Sequence, residues 1–207
     1  VTYVAFDAAG NTDTCTFNVT VTDTQAPQIV ACPANITVNN QAGLCSAPVS
    51  WTLPSALDNC PGVTLTSSHN SGDIFPVGVT VVTYTATDSA GNTASCVFSV
   101  TVVDTQVPVI AACPSNISVN TDPGLCTATV NWTVPTASDN CGISTFTSNF
   151  SSGDVFPVGT TTVTYTAVDS AGNTAICTFN VTVTENEAPV INGCPANINV
   201  TNDPGIC

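Results

Sequence analysis

The chain repeats itself with a period of 81 residues, and no other feature restricts its fold as much. Cys15, Cys96 and Cys177 fall one period apart, as do Cys32, Cys113 and Cys194, then Cys45, Cys126 and Cys207, and finally Cys60 and Cys141. The text between them recurs: TDTQAPQIVACPANITVNN, VDTQVPVIAACPSNISVNT and TENEAPVINGCPANINVTN, with no gap needed over two periods. Boundaries placed before the Pro-containing linkers give complete repeats at 24–104 and 105–185. Residues 1–23 match the end of a repeat and 186–207 the beginning of one, so both ends read as cuts through something longer. A period of this length is domain-sized, which makes the repeats beads in a row rather than turns of a solenoid.

Inside a repeat the apolar period is two, the signature of strands. Cys45, Ala47, Val49, Trp51 and Leu53 fall on one face of an expected strand. Val82, Tyr84, Ala86 and Asp88 share a face of a second, Cys96, Phe98, Val100 and Val102 a face of a third, and Ile36 with Val38 a face of a short early one. Asp88-Ser89-Ala90-Gly91-Asn92 has the residues of a hairpin turn, and Pro76-Val77-Gly78 those of a corner. No stretch combines a 3.6-residue period with helix formers. The expected class is all-β: tandem immunoglobulin-like β-sandwich modules.

Charge narrows the function. Fourteen acidic residues stand against no Lys or Arg, a formal charge of −14. Such a chain lacks the cationic grip that nucleic acids and anionic membrane surfaces require. It can form no Lys or Arg salt bridge, and neutralisation falls to solution ions, with Ca²⁺ the natural candidate for hard oxygen ligands. Eleven Cys with no C-x-x-C pair and a lone His read as disulfides rather than a zinc site, and place the chain in an oxidising compartment, secreted or on a cell surface. No apolar run reaches membrane-spanning length, so membrane insertion is not expected.

The ordered elements D-x-x-x-P, C-P-x-N-I, G-x-C-x-A-x-V-x-W, A-x-D-N-C, F-P-V-G, T-Y-x-A-x-D-x-A-G-N and C-x-F-x-V-T-V resemble the hyalin repeat (HYR) domain over the whole chain. The resemblance implies an immunoglobulin-like relative found in extracellular adhesion proteins of animals and in long surface proteins of bacteria. The near-identical repeats and missing cations suggest the bacterial, Bacteroidota-like kind. In an immunoglobulin-like sandwich the first and last strands run side by side, which favours Cys32–Cys96 and Cys113–Cys177, leaving Cys45–Cys60 and Cys126–Cys141. The sequential alternative, Cys32–Cys45 with Cys60–Cys96, stays open and would also pair Cys194 with Cys207.

Asp23, Asp104, Glu185 and Glu187 precede Pro27, Pro108 and Pro189 in the linkers, resembling the acidic linkers at which calcium stiffens cadherin arrays. They are the candidate calcium ligands, with Asp58-Asn59 and Asp139-Asn140 as possible additions from a loop. The bland reading is that Asp and Asn cap turns here and keep a Thr-rich surface soluble. Candidate sugar sites are Ser89 and Ser170, which fit an O-glycosylation pattern of the bacterial arrays, and Asn35 and Asn116 among seven N-x-(S/T) sequons.

Tyr84, Tyr165 and Tyr3 read as core rings with hydroxyls bonded to backbone, and Trp51 and Trp132 as core. His69 has Phe150 as its counterpart and reads as surface. No constellation of nucleophile and base, paired carboxylates or His-held metal is evident, so no enzyme is expected. The regular Thr rows are the ordinary wet face of antiparallel strands. The expected function is a structural module array of an extracellular filament, stalk or surface fibre, its partners being further repeats or copies of itself. The alternative is an adhesin whose repeats bind a surface, a glycan or a partner protein directly.

Overall fold

The computed structural model describes residues 1–205, so Cys207 and any pairing of it lie outside the described residues. The chain divides into two units, Val1–Gln106 and Val107–Cys207. Among the described residues every element is a strand.

The first unit opens with a hairpin of β1 (Thr2–Phe6) and β2 (Thr12–Thr16), in which Tyr3 faces Cys15. Eight strands follow: β3 (Gln28–Val30), β4 (Ile36–Asn39), β5 (Ser46–Pro48), β6 (Ser55–Leu57), β7 (Thr64–Ser67), β8 (Ile74–Pro76), β9 (Gly78–Thr87) and β10 (Thr93–Val103). One sheet has the order β4-β10-β9-β7, with β4 parallel to β10 and the other pairs antiparallel. Two short pairs, β3-β6 and β5-β8, cover its inner face. The alternation in β9 and β10 explains the arrangement. Val82, Tyr84, Ala86, Phe98, Val100 and Val102 are buried, while Val81, Val97 and Thr85 point outward.

The second unit repeats this with β11 (Val109–Ala111), β12 (Ile117–Asn120), β13 (Thr127–Thr129), β14 (Thr136–Ser138), β15 (Ile143–Ser148), β16 (Val155–Pro157), β17 (Gly159–Asp169) and β18 (Thr174–Thr184). Its sheet runs β12-β18-β17-β15 with β12 parallel to β18, and β11-β14 and β13-β16 close the sandwich. Each buried residue of the first core, from Ala47 to Val102, has its counterpart one period on, from Ala128 to Val183. Residues 185–205 form no strand.

One expected strand is much shorter than its pattern suggests. Ala47, Val49 and Trp51 do face the core, but β5 ends at Pro48, and Cys45 and Leu53 are exposed. A side chain ends the ladder. Ser71 Oγ accepts from Trp51 N–H at 2.8 Å and donates to Trp51 C=O at 2.9 Å, so this backbone needs no strand partner. Ser152 does the same for Trp132.

The parallel neighbours β4 and β10 bring the segment between β3 and β4 beside the first half of β10. Cys32 is bonded to Cys96 and Cys113 to Cys177, each with Cα atoms 5.9 Å apart. The remaining expected pairs do not form. Cys60 and Cys126 are thiols, while Cys45 and Cys141 are half-cystines, so Cys45–Cys60 and Cys126–Cys141 are corrected. The sequential pairing Cys32–Cys45 with Cys60–Cys96 is likewise not the one formed. Geometry gives the reason. Asn40, five residues before Cys45, bonds to Val103 at the end of β10, whereas Cys60 lies beside Asp23, which is held near the beginning of β10. An eleven-residue strand spans roughly 35 Å, far beyond disulfide reach.

Candidate functional site

The recurring residues not consumed by the core gather on the linker segments. Asp88 follows β9 directly and is buried at 6% exposure. Its Oδ1 accepts from the N–H groups of Ala90 (2.9 Å) and Asn92 (2.8 Å), and its Oδ2 from Asn92 Nδ2 (2.8 Å). Gly91, at φ 93°, supplies the left-handed residue that this turn needs. Burial works to raise the Asp88 pKa, but these bonds outweigh it and hold the carboxyl below its ordinary value. Asp169 repeats the arrangement with Asn173, Ala171 and Gly172, and its pKa is lowered in the same way.

The turn is a clamp. Oriented by Asp88, the Asn92 amide also donates to the backbone carbonyls of Asp23 (3.3 Å) and Gln25 (3.2 Å), and so grips the segment leading into the module. The segment leaving the module is held at the other end of the sandwich. Asn40 donates to Asp104 Oδ1 at 2.7 Å and accepts from Thr105 N–H at 3.3 Å. Gln106 accepts from Gly43 N–H at 2.8 Å and donates to Gln41 C=O at 3.1 Å. In the second unit Glu187 takes the place of Gln106 and accepts from Gly124 N–H at 2.9 Å. Asn92, Asn40 and Gln106 were not singled out from the sequence. Asn92 recurs as Asn173 within D-S-A-G-N, where Asn reads equally well as a turn former, whereas Asn40 and Gln106 give way to Thr121 and Glu187 one period on.

The four expected calcium ligands do not share one site. Asp23, Asp104 and Glu185 occupy the same position in successive repeats, and Glu187 is spent on Gly124. Glu185 accepts from Glu187 N–H at 2.6 Å and is exposed. What the fold brings to Asp23 is Asp58 and Cys60, with one donor atom of each within 4.8 Å of the others. Asp23 Oδ1 accepts from Gln25 N–H at 3.0 Å, while its Oδ2 is buried without a nitrogen or hydroxyl donor among the described residues. The Cys60 thiol pKa is raised by its hydrogen bond to Asp23, then by burial and the charges of Asp23, Asp58 and Asp88, which keeps the sulfur protonated. Two carboxylates here are a start on calcium's six to eight oxygens, and a protonated thiol is not a ligand for it.

The aromatic expectations divide. Trp51 packs edge-on to Phe98 at 5.2 Å, as Trp132 does to Phe179 at 5.3 Å. Tyr84 and Tyr165 are buried, but their hydroxyls accept from the indole N–H of Trp51 and Trp132, both at 2.9 Å, rather than bonding to backbone. Tyr3 is exposed and stacked on Phe17 at 5.9 Å. His69 is half-buried rather than on the surface. Its ring meets Phe75 at 5.3 Å, where Phe150 meets Phe156 at 5.1 Å in the second unit. Ser68 Oγ lies 3.1 Å from His69 Nδ1 but already accepts from Thr83 N–H, and no carboxylate bonds to the imidazole among the described residues. Ser89, Ser170, Asn35 and Asn116 are all exposed.

Repeating disulfide-bonded sandwiches, each with a buried carboxylate turn and a pinned segment at its exit, define a tandem array of immunoglobulin-like modules. The HYR domain model matches residues 1–21, 22–102 and 103–183, and the chain belongs to that family. It is 43% identical over 191 residues to Hyalin of Strongylocentrotus purpuratus, covering 88% of this chain and 16% of that protein. To Hyalin of Lytechinus variegatus it is 41% identical, covering 89% and 36%. The chain thus spans well under half the length of these relatives. They are animal proteins and lend no support to the expected bacterial affinity. Among solved structures, a protocadherin gammaB7 EC3-6 cis-dimer aligns at 17% identity with a TM-score of 0.39, covering 88% of this chain and 57% of that one.

Proposed function

We propose that the chain is a stretch of an extracellular structural array, in which each module contributes length and resistance to unfolding rather than a ligand pocket. The observation that carries this is the pinning of the linker segments. Residues 23–25 are held by Asn92 of the module they lead into, and residues 104–106 by Asn40, Gln41 and Gly43 of the module they leave. A Pro-containing linker tied down at several points has little freedom to act as a loose tether. Because the turns and cores recur at the same positions, modules are exchangeable units of such an array. Electron micrographs of chains with increasing numbers of repeats should then lengthen by equal increments per repeat. Compact particles whose length does not follow repeat number would refute the reading.

Direct adhesion through every repeat would require a shared outer surface, and the outer face of the large sheet is not shared. The exposed Val79, Val81, Val97 and Val103 of the first module become Thr160, Thr162, Thr178 and Thr184 in the second. Adhesion in this reading belongs to the assembled array and its self-association.

Calcium enters as a second proposal on one observation, the buried Asp23 Oδ2 beside Asp58, which no nitrogen or hydroxyl donor reaches among the described residues. These carboxylates would hold the ion, with backbone carbonyls and water completing its shell. Calcium should then raise the melting temperature of the chain in calorimetry, and Asp58→Asn should remove that rise. Identical melting in calcium and in chelator would eliminate calcium from the account.

A further inference from the structure

Seven sequons are present, and the fold treats them differently. Asn149 is committed on both sides of its amide, donating to Thr162 C=O at 3.1 Å and accepting from Thr164 N–H at 2.8 Å. Asn180 lies within β18, inside the four-stranded sheet, and accepts from Thr162 Oγ1 at 2.9 Å. Asn35 and Asn116 differ from these and match each other. Each is exposed and stands one residue before an edge strand, β4 or β12. Each uses only Oδ1, which accepts from the N–H of Ser99 or Asn180 on the neighbouring strand at 2.9 Å and extends the ladder by one rung. The Nδ2 of each makes no hydrogen bond among the described residues. The sequon hydroxyls, Thr37 and Ser118, are also exposed.

We propose that Asn35 and Asn116 carry N-linked glycans that guard the parallel edge of each module's large sheet. The donor is a lipid-diphosphate-linked oligosaccharide of the secretory pathway, the route that disulfide formation also requires. Asn Nδ2 forms a bond to the anomeric carbon of the sugar and gives up one proton. The bond from that carbon to the diphosphate oxygen breaks, and the lipid diphosphate leaves with the electron pair. Oδ1 is untouched, so the rung to Ser99 or Asn180 survives.

The edges need a guard. An exposed edge strand presents unpaired N–H and C=O groups to other chains, and soluble proteins commonly blunt it with Lys, Pro or an inward charge. This chain has no Lys, and neither Ile36–Asn39 nor Ile117–Asn120 contains a charge or a Pro. A glycan at the residue before each strand supplies hydrated bulk where side chains supply none.

The test is site occupancy in the full chain secreted from animal cells, followed by enzymatic release of N-glycans, which converts each carrier Asn to Asp. Peptide mapping should find Asn35 and Asn116 converted in most molecules. Thr37→Ala should remove the first glycan and Ser118→Ala the second, each leaving the Asn Oδ1 rung and the melting transition in place, while Thr37→Ser should keep the sugar. The double Ala variant should aggregate faster than the glycosylated chain by light scattering at equal concentration. Unconverted Asn35 and Asn116 in folded, secreted protein would overturn the proposal. Equal aggregation rates with and without these glycans would overturn the guarding role.

Discussion

At Ala31 and Ala112 the backbone takes φ values of 61° and 57°, in the left-handed region that residues with a Cβ avoid. Both stand immediately before the disulfide cysteine that ends the first strand's turn, and the third repeat has Gly193, with φ 79°, in the same place. A left-handed non-glycine residue costs about 1–2 kcal/mol. Ala31→Val, which crowds the same conformation with a β-branched side chain, should destabilise the first module by at least about 1 kcal/mol, and Ala31→Gly should not. Denaturant titration separates them. Asp88 makes a different prediction. Folding lowers its pKa, so the stability it contributes is complete above the ordinary carboxylate value of 3.8 and is lost as pH falls through the lower folded value. Asp169 behaves alike. Asp88→Asn sets an amide nitrogen against the donors of Asn92, and should lower the melting temperature by several degrees and flatten the acid limb of its pH profile. The same change at the exposed Asp7 should do much less. His69→Phe, which copies Phe150 against Phe156, should raise the first module's melting temperature.

Among the elements, the long β9–β10 hairpin and the early edge strand were legible in the sequence because their alternation is uninterrupted and nothing competes for their backbone groups. The strand expected from Cys45 to Leu53 failed for a physical reason that alternation does not encode. Ser71, twenty residues away, satisfies the Trp51 backbone and stops the ladder. The disulfides divide in the same way. Cys32–Cys96 followed from parallel neighbours, whereas Cys45 and Cys60 are close in sequence yet sit toward opposite ends of a sandwich whose length is set by β10. The linker clamp was half visible: its acidic residues stood out, while Asn92 passed as a turn former and Asn40 gives way to Thr121 one period on. Replacing Cys32 and Cys96 with Ala opens a loop with a sequence separation of 64, which should cost about 4 kcal/mol in the chain-entropy account. Where the first module has Asn40 bonded to Asp104, the second has Thr121, whose buried hydroxyl is unpaired, and Glu185. The paired change Thr121→Asn with Glu185→Asp should stabilise the second module by about 1 kcal/mol, read as a shift in its chemical denaturation midpoint.

For the whole molecule, repetition turns local design into a material property. Each sandwich buries the same apolar set around a disulfide, carries an Asp-Asn turn, and holds the segment that leaves it by the loop before β5 or β13; in the first module the turn also holds the segment that leads into it. With no Lys or Arg and a formal charge of −14, the carboxylates of the chain repel one another, and dissolved salt screens that repulsion. Single-molecule extension of the chain examines this account directly. With disulfides intact, neither module can release the loop between its bonded cysteines. After reduction, two equal events should appear, each lengthened by up to about 230 Å for the 64-residue separation. One merged event, two unequal ones, or extension indifferent to reductant would contradict a tandem array whose modules are each closed by a disulfide of the Cys32–Cys96 type.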